Sequence, residues 1–193
     1  VSHQLEKFVY ISSGDVYGEG DGRMFAEDYS GYVNPMILRS CYPSAKRVSE
    51  SLCVAYASQF GIDINVVRPC HIYGPHFTES DTRAYAQFIR KAIAGENIVL
   101  KSPGSQLRSW CYVVDCVAAI LYVTLLGISG EAYNIADNSS NVSIRKFAET
   151  VASVVGSGVT FEMPDNIESA GYNTVLHSIF DTRKINALGW NPA

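Results

Sequence analysis

The feature that most constrains this chain is a helix pattern held between two strand patterns, with almost no connecting chain after it. Over residues 43–60, apolar side chains recur at Ala45, Val48, Leu52 and Ala55, the three- and four-residue spacing of one helical face. Gly61 follows as a C-cap, because glycine accepts the left-handed conformation that ends a helix. Residues 62–69 (IDINVVRP) then read as a strand, and residues 8–12 (FVYIS) as another upstream. A helix feeding directly into a strand predicts α/β units on a parallel sheet.

The rest of the chain continues the alternation. A glycine-bearing loop is expected over 17–38, and a helix over 82–95 with a glycine at its end. A strand at 97–101, a polar turn at 102–109 and an extended run at 110–114 come next. Asp115 is placed to cap an apolar helix from Cys116, a strand follows at 132–136, and Ser143 is a candidate N-cap for a helix over 144–156. One more strand is expected at 159–163. Residues 1–75 are read as a sheet-based lobe and 76–193 as mainly a smaller α/β lobe interleaved with it.

With 193 residues, 47% hydrophobic and 18% charged, the chain can bury a core of this kind. A net charge of −4 provides no global basic field, so neither nucleic acid nor an anionic membrane is an expected partner, and an anionic ligand must be held by local groups. The longest apolar run, 116–126, is a buried-helix length rather than the roughly 18 residues of a membrane span. Five cysteines without a C-x-x-C pair, set in apolar stretches, are read as packed, reduced thiols in a cytoplasmic protein.

Two places carry possible chemistry. Ser12, Ser13 and Asp15 follow the FVYIS strand directly, and ligands of open parallel sheets bind beyond the carboxyl ends of the strands. The same four letters, Ser-Ser-Gly-Asp, also make an ordinary turn. Tyr42 and Lys46 stand four apart, on one helix face. A phenol is a poor base near neutrality, and an adjacent ammonium favours its ionised form. The pair therefore reads either as two residues of an amphipathic helix or as a proton-transfer centre, and the spacing leaves both open.

The order FVYISSGDVYG, CYPSAKR, RPCHIYGP, GSQLRSWCYVVDCVAA, YNIA and LGWNP resembles the extended short-chain dehydrogenase/reductase family of NAD-dependent nucleotide-sugar epimerases, dehydratases and decarboxylases. The resemblance runs from about residue 8 to residue 192. It implies a Rossmann-type parallel sheet with a small α/β C-terminal substrate lobe, NAD as cofactor, a nucleotide-sugar substrate and a homodimer paired through the Tyr42 helix. It also implies roles. Ser13 matches the hydroxyl residue that bonds the sugar 4-oxygen, Tyr42 the base, and Lys46 the lysine that lowers the tyrosine pKa and holds the nicotinamide ribose. Ser12 and Pro69 fall beside the cofactor, and Tyr73 and Pro75 in a structural turn near it. Arg108 matches the arginine that clamps the nucleotide diphosphate.

The chain departs from the family pattern in three places. The opening strand, glycine-rich turn and helix that hold the cofactor pyrophosphate are absent, so the chain is expected to be the later portion of such an enzyme, without its first βαβ unit. Gly14 and Asp15 occupy the positions where 4,6-dehydratases carry an Asp-Glu acid–base pair, which leaves Asp15 as an auxiliary acid/base and removes the dehydratase acid. His71 stands where most members have an asparagine touching substrate, and reads either as a substrate ligand or as a packed histidine. Arg39 and Cys41 ahead of Tyr42 are similar to UDP-glucuronate decarboxylases; Cys41 itself is read as packing, and no residue spacing points to a metal. The expected activity is conversion of a nucleotide sugar through transient C4 oxidation. The alternatives are UDP-glucuronate decarboxylation, 4,6-dehydration, or a non-catalytic module that binds sugar nucleotides.

Overall fold

The computed structural model describes residues 5–162 and 175–193. The last residue of the strand expected at 159–163, and a loop at 165–173 read as contacting substrate, lie outside them. Three parallel strands, β1 (Phe8–Ile11), β2 (Ile64–Pro69) and β6 (Ala132–Ile135), form one sheet in the order β1-β2-β6. The first four residues of β2 are buried, as a parallel strand covered on both faces requires. Helix α1 (Cys41–Phe60) covers one face, where Cys53 and Ala57 meet Ile64 and Val66. Helix α3 (Val113–Leu126) covers the other, packing Ala119 and Val123 with Val67, Tyr133 and Ile135.

The apolar stripe that predicts α1 is not the side that packs. Ala45, Val48, Leu52 and Ala55 are all exposed, and Lys46, Glu50, Cys53 and Ala57 face inward. The polar pair can point in because each finds a partner at the end of β1. Gly61 ends the helix with φ 65°, its N–H bonded to the Ala57 carbonyl.

A second sheet is built on β5 (Leu107–Tyr112). β3 (His71–Tyr73) and β9 (His177–Ser178) run parallel to β5, and β7 (Asp137–Ser143) runs antiparallel. β4 (Ile98–Leu100) pairs with β8 (Val159–Phe161) and packs against α2 (Ala84–Ile93) and α4 (Ile144–Val155). A short helix, α5 (Arg183–Asn186), buries Ile185 against the first sheet.

Two boundaries expected from the sequence move, and one strand was not foreseen. The polar turn ends early, because β5 begins at Leu107 and takes in Arg108. Helix α3 begins at Val113, so Asp115 lies in its first turn rather than capping it. The polar stretch DNSSNVS, with no apolar alternation to mark it, becomes β7 by pairing with β5. Ser143 does cap α4, accepting from the Lys146 N–H at 3.0 Å.

Candidate active site

Beyond the carboxyl ends of β1 and β2 opens a cleft of about 820 Å³. Ser13 and Asp15 reach it from the end of β1, Tyr42 from the first turn of α1, and Pro69 and His71 from the end of β2 and the start of β3. Arg108 enters from β5, close enough to Asp15 and His71 to act on both electrostatically. Six of the eight residues singled out in the sequence therefore line a single cleft.

Ser13 is held by local geometry. It stands at the start of the short 3-10 turn Gly14–Tyr17, and its hydroxyl accepts from the Asp15 N–H at 3.2 Å. Gly14 is sterically required, because a Cβ there would lie 2.0 Å from the ring of Phe180, which also lines the cleft. The position where dehydratases carry an acid is thus covered by an aromatic ring.

Lys46 stands one helical turn from Tyr42, behind the cleft wall. Its ammonium donates to the Ile11 carbonyl at 2.8 Å and lies 5.8 Å from the centre of the Tyr42 ring and 5.0 Å from that of Tyr10. Ser12 points away from the cleft. It is 5% exposed, and its hydroxyl donates to Glu50 at 2.5 Å. The Ser12 side chain, read as projecting into the crevice at the strand end, is instead turned toward Glu50 on α1. Cys41, read as packing, is exposed at the head of α1, whereas Cys53, Cys111 and Cys116 are buried.

The site's electrostatics are local. Burial raises the Asp15 carboxyl above its ordinary value, while Arg39 and Arg108 hold it back. Burial lowers the Arg108 guanidinium and Asp15 partly restores it. Arg108 is 3% exposed, fixed by donating to the Leu107 carbonyl at 2.8 Å and the Val175 carbonyl at 2.7 Å. His71 is pulled down to about 4, first by burial and then by Arg108, so its imidazole is neutral at pH 7. Among the described residues no group of His, Cys, Asp and Glu is placed to hold a metal ion, and no helix is long and apolar enough to cross a membrane.

Sequence reasoning missed part of the wall. Three buried polar atoms, His71 Nδ1, Gln106 Oε1 and Trp110 Nε1, belong to residues that line this cleft and have no hydrogen-bond partner among the described residues. Buried polar groups are ordinarily satisfied, so three around one cavity mark a surface shaped for a polar ligand. Gln106 and Trp110 flank Arg108 two residues away on either side, a spacing visible in GSQLRSW once Arg108 is on a strand.

Comparisons with known proteins place the chain in a family. Residues 1–136 match the model of the NAD dependent epimerase/dehydratase family. UDP-glucuronic acid decarboxylase 5 of Arabidopsis thaliana is 32% identical over 186 residues, 96% of this chain and 53% of that protein. The chain thus spans about half the length of this curated relative. Its fold is similar to UDP-glucose 4-epimerase of Thermotoga maritima, solved with UDP-glucose, at a TM-score of 0.82 and 23% identity over 98% of this chain and 59% of that one. It is similar as well to UDP-glucuronic acid 4-epimerase of Bacillus cereus, solved with UDP-glucuronic acid and NAD, at a TM-score of 0.80 and 25% identity over 99% of this chain and 58% of that one. With the family model covering most of its residues, the α/β chain belongs to the NAD-dependent epimerase/dehydratase family of Rossmann-type enzymes.

Proposed function

We propose that the full-length protein is an NAD-dependent enzyme that transforms a nucleotide-activated sugar through transient oxidation at C4, and that this chain supplies its acid–base and substrate-holding residues. The observation that carries the reading is the convergence of Ser13, Asp15, Tyr42 and Arg108, from three separate stretches, on one cleft with Lys46 a turn below Tyr42. Residues 1–75 would carry the catalytic and nicotinamide-facing groups, and residues 76–193 mainly the substrate wall.

The residues present fit the nicotinamide-ribose end of NAD. The Lys46 ammonium uses one of its three N–H donors on Ile11 and has others for ribose hydroxyls, while Pro69 and Tyr42 line the adjoining wall. NAD, when bound, supplies the acceptor and later the donor of the C4 hydride. Tyr42 takes the proton of the 4-hydroxyl, and Ser13 hydrogen-bonds the same oxygen. Arg108, a buried fork with the positive charge this acidic chain lacks overall, clamps the diphosphate. His71 meets the substrate as a neutral hydrogen-bond partner. Asp15, with its raised carboxyl, serves as an auxiliary acid or base.

The particular reaction favoured is decarboxylation of UDP-glucuronate. The similarity to UDP-glucuronic acid decarboxylases supports it, and so does Phe180 packed over Gly14, which leaves no room for a dehydratase acid. The exposed α1 stripe of Val48 and Leu52 supports a homodimer through that helix, and five free cysteines support a reducing compartment, the cytoplasm. The test is mass spectrometry of products from the full-length protein given NAD and, separately, UDP-glucuronate, UDP-glucose, dTDP-glucose and CDP-glucose. Loss of carbon dioxide from UDP-glucuronate is expected. Unchanged mass with inverted C4 would make the enzyme an epimerase, loss of water a dehydratase, and no turnover with any sugar a binding module.

A further inference from the structure

The polar side chains that α1 turns inward form a device of their own. Tyr42, Lys46 and Glu50 recur every four residues, so they occupy one face on three successive turns. Tyr42 lines the cleft, while the lower two are tied to consecutive residues leaving β1: Lys46 donates to the Ile11 carbonyl at 2.8 Å, and Ser12 donates to Glu50 Oε1 at 2.5 Å. Glu50 is fixed in turn by Arg68 on β2, which donates through Nε at 3.0 Å and through Nη2 at 2.7 Å. Beyond it, Arg68 Nη1 reaches the Tyr17 hydroxyl at 3.1 Å and the Glu27 carbonyl at 2.7 Å, and Tyr17 donates to Asn134 on β6 at 2.5 Å. The carboxylate therefore sits where α1, the end of β1 and the central strand are joined.

A buried ion pair of this kind is a weak source of stability, since well-packed apolar residues do as well; its better-attested use is registry. Arg68 and Glu50 side chains are only 13% and 14% exposed. Burial pulls the Arg68 guanidinium down, but Glu50 and Tyr17 outweigh it and keep it charged. We propose that Glu50 is a positioning residue which, through Ser12 and Arg68, sets the height of α1 on the sheet and thereby the separation of Tyr42 from Ser13, the residue directly after Ser12. Ser12 is reassigned by this from a cofactor contact to a link in the register. The catalytic consequence rests on the C4-oxidation reading; the structural one does not.

Ser12→Ala in the full-length protein tests it, because it removes one hydroxyl and leaves the Glu50–Arg68 pair intact. Hydrogen exchange should accelerate at the amides of residues 41–46 other than Pro43 and stay unchanged over 53–60, and Glu50→Gln should give the same local pattern. In a single turnover with NAD and UDP-glucuronate, the rate of nicotinamide reduction should fall roughly 10- to 100-fold, as small misplacements of reacting groups do, with sugar-nucleotide affinity and amplitude unchanged. A merely structural role would lower the amplitude, not the rate constant. Unchanged exchange at 41–46, or an increase spread evenly along α1, overturns the proposal with or without turnover. A wild-type protein that turns over no sugar refutes the C4-oxidation reading alone and leaves the exchange result to judge Glu50. An active wild type whose rate Ser12→Ala leaves unchanged overturns the positioning role.

Discussion

Replacing His71 with asparagine should remove a pH-dependent component of stability. In the folded protein the imidazole is held down to about 4 by burial and by Arg108, whereas an unfolded histidine titrates near 6.5. Between those two values the unfolded chain binds a proton that the folded chain refuses, so stability falls as pH falls through this window and is flat above it. Taking the two values at face, the component lost is about 2 kcal/mol at pH 5 and about 3 kcal/mol at pH 4 relative to pH 7.5. Urea unfolding of wild type and His71→Asn at a series of pH values between 7.5 and 4.5 isolates it, because the difference between the two curves cancels the carboxylates they share. The asparagine variant should gain on wild type progressively below pH 6.5. A difference that stays constant between pH 7.5 and 5 would refute the claim that this histidine is kept neutral by its surroundings. Asparagine should also preserve sugar-nucleotide binding, since it restores a neutral hydrogen-bond partner at the same place in the cleft.

Arg108→Met should raise KM for the sugar nucleotide about 10- to 100-fold with a smaller effect on kcat, the loss of charge-assisted hydrogen bonds worth roughly 1.5–3 kcal/mol; steady-state kinetics check it. Gly14→Ala should cost about 1–3 kcal/mol by overpacking, because its Cβ would meet Phe180 at 2.0 Å. Thermal melts of Gly14→Ala, Phe180→Ala and the double variant should show a coupled, less-than-additive loss. Arg68→Met should destabilise by about 3–5 kcal/mol, because it leaves the Glu50 carboxylate buried without its partner; denaturant titration reads it. Val48→Asp with Leu52→Asp should turn the full-length protein into a monomer in analytical sedimentation without unfolding it, since both residues are exposed on α1.

Much of the fold was legible because the alternation of helix and strand needed only periodicity and glycine punctuation. The α1 helix, Gly61 as its cap, the buried β2 and the Ser143 cap all follow from local chemistry. What periodicity misread was direction: the stripe of Val48 and Leu52 marks the helix but faces outward, because polar Lys46 and Glu50 are satisfied by β1 and β2, partners distant in sequence. The same non-locality hid β7, a polar strand made by its pairing with β5. At the site, Ser13, Tyr42 and Arg108 could be named from motif order, whereas the turning of Ser12 toward Glu50, Phe180 over Gly14 and the unpartnered atoms of Gln106 and Trp110 depend on tertiary placement. The spacing of 42, 46 and 50 was visible in the sequence; only the structure supplied its meaning.

In the proposed chemistry Tyr42, which lines the cleft with Ser13 and stands one helical turn from Lys46, moves the proton of the sugar 4-hydroxyl. The deciding comparison is between the full-length wild-type protein and Tyr42→Phe in a single turnover with NAD and UDP-glucuronate, following nicotinamide reduction by absorbance. The wild type should reduce its nicotinamide and release carbon dioxide from the sugar nucleotide, and the phenylalanine variant should bind the substrate equally well and lose that rate by roughly 100-fold or more, as removal of a general base does. Reduction by Tyr42→Phe at the wild-type rate would contradict the assignment of the base, and with it the account of this cleft.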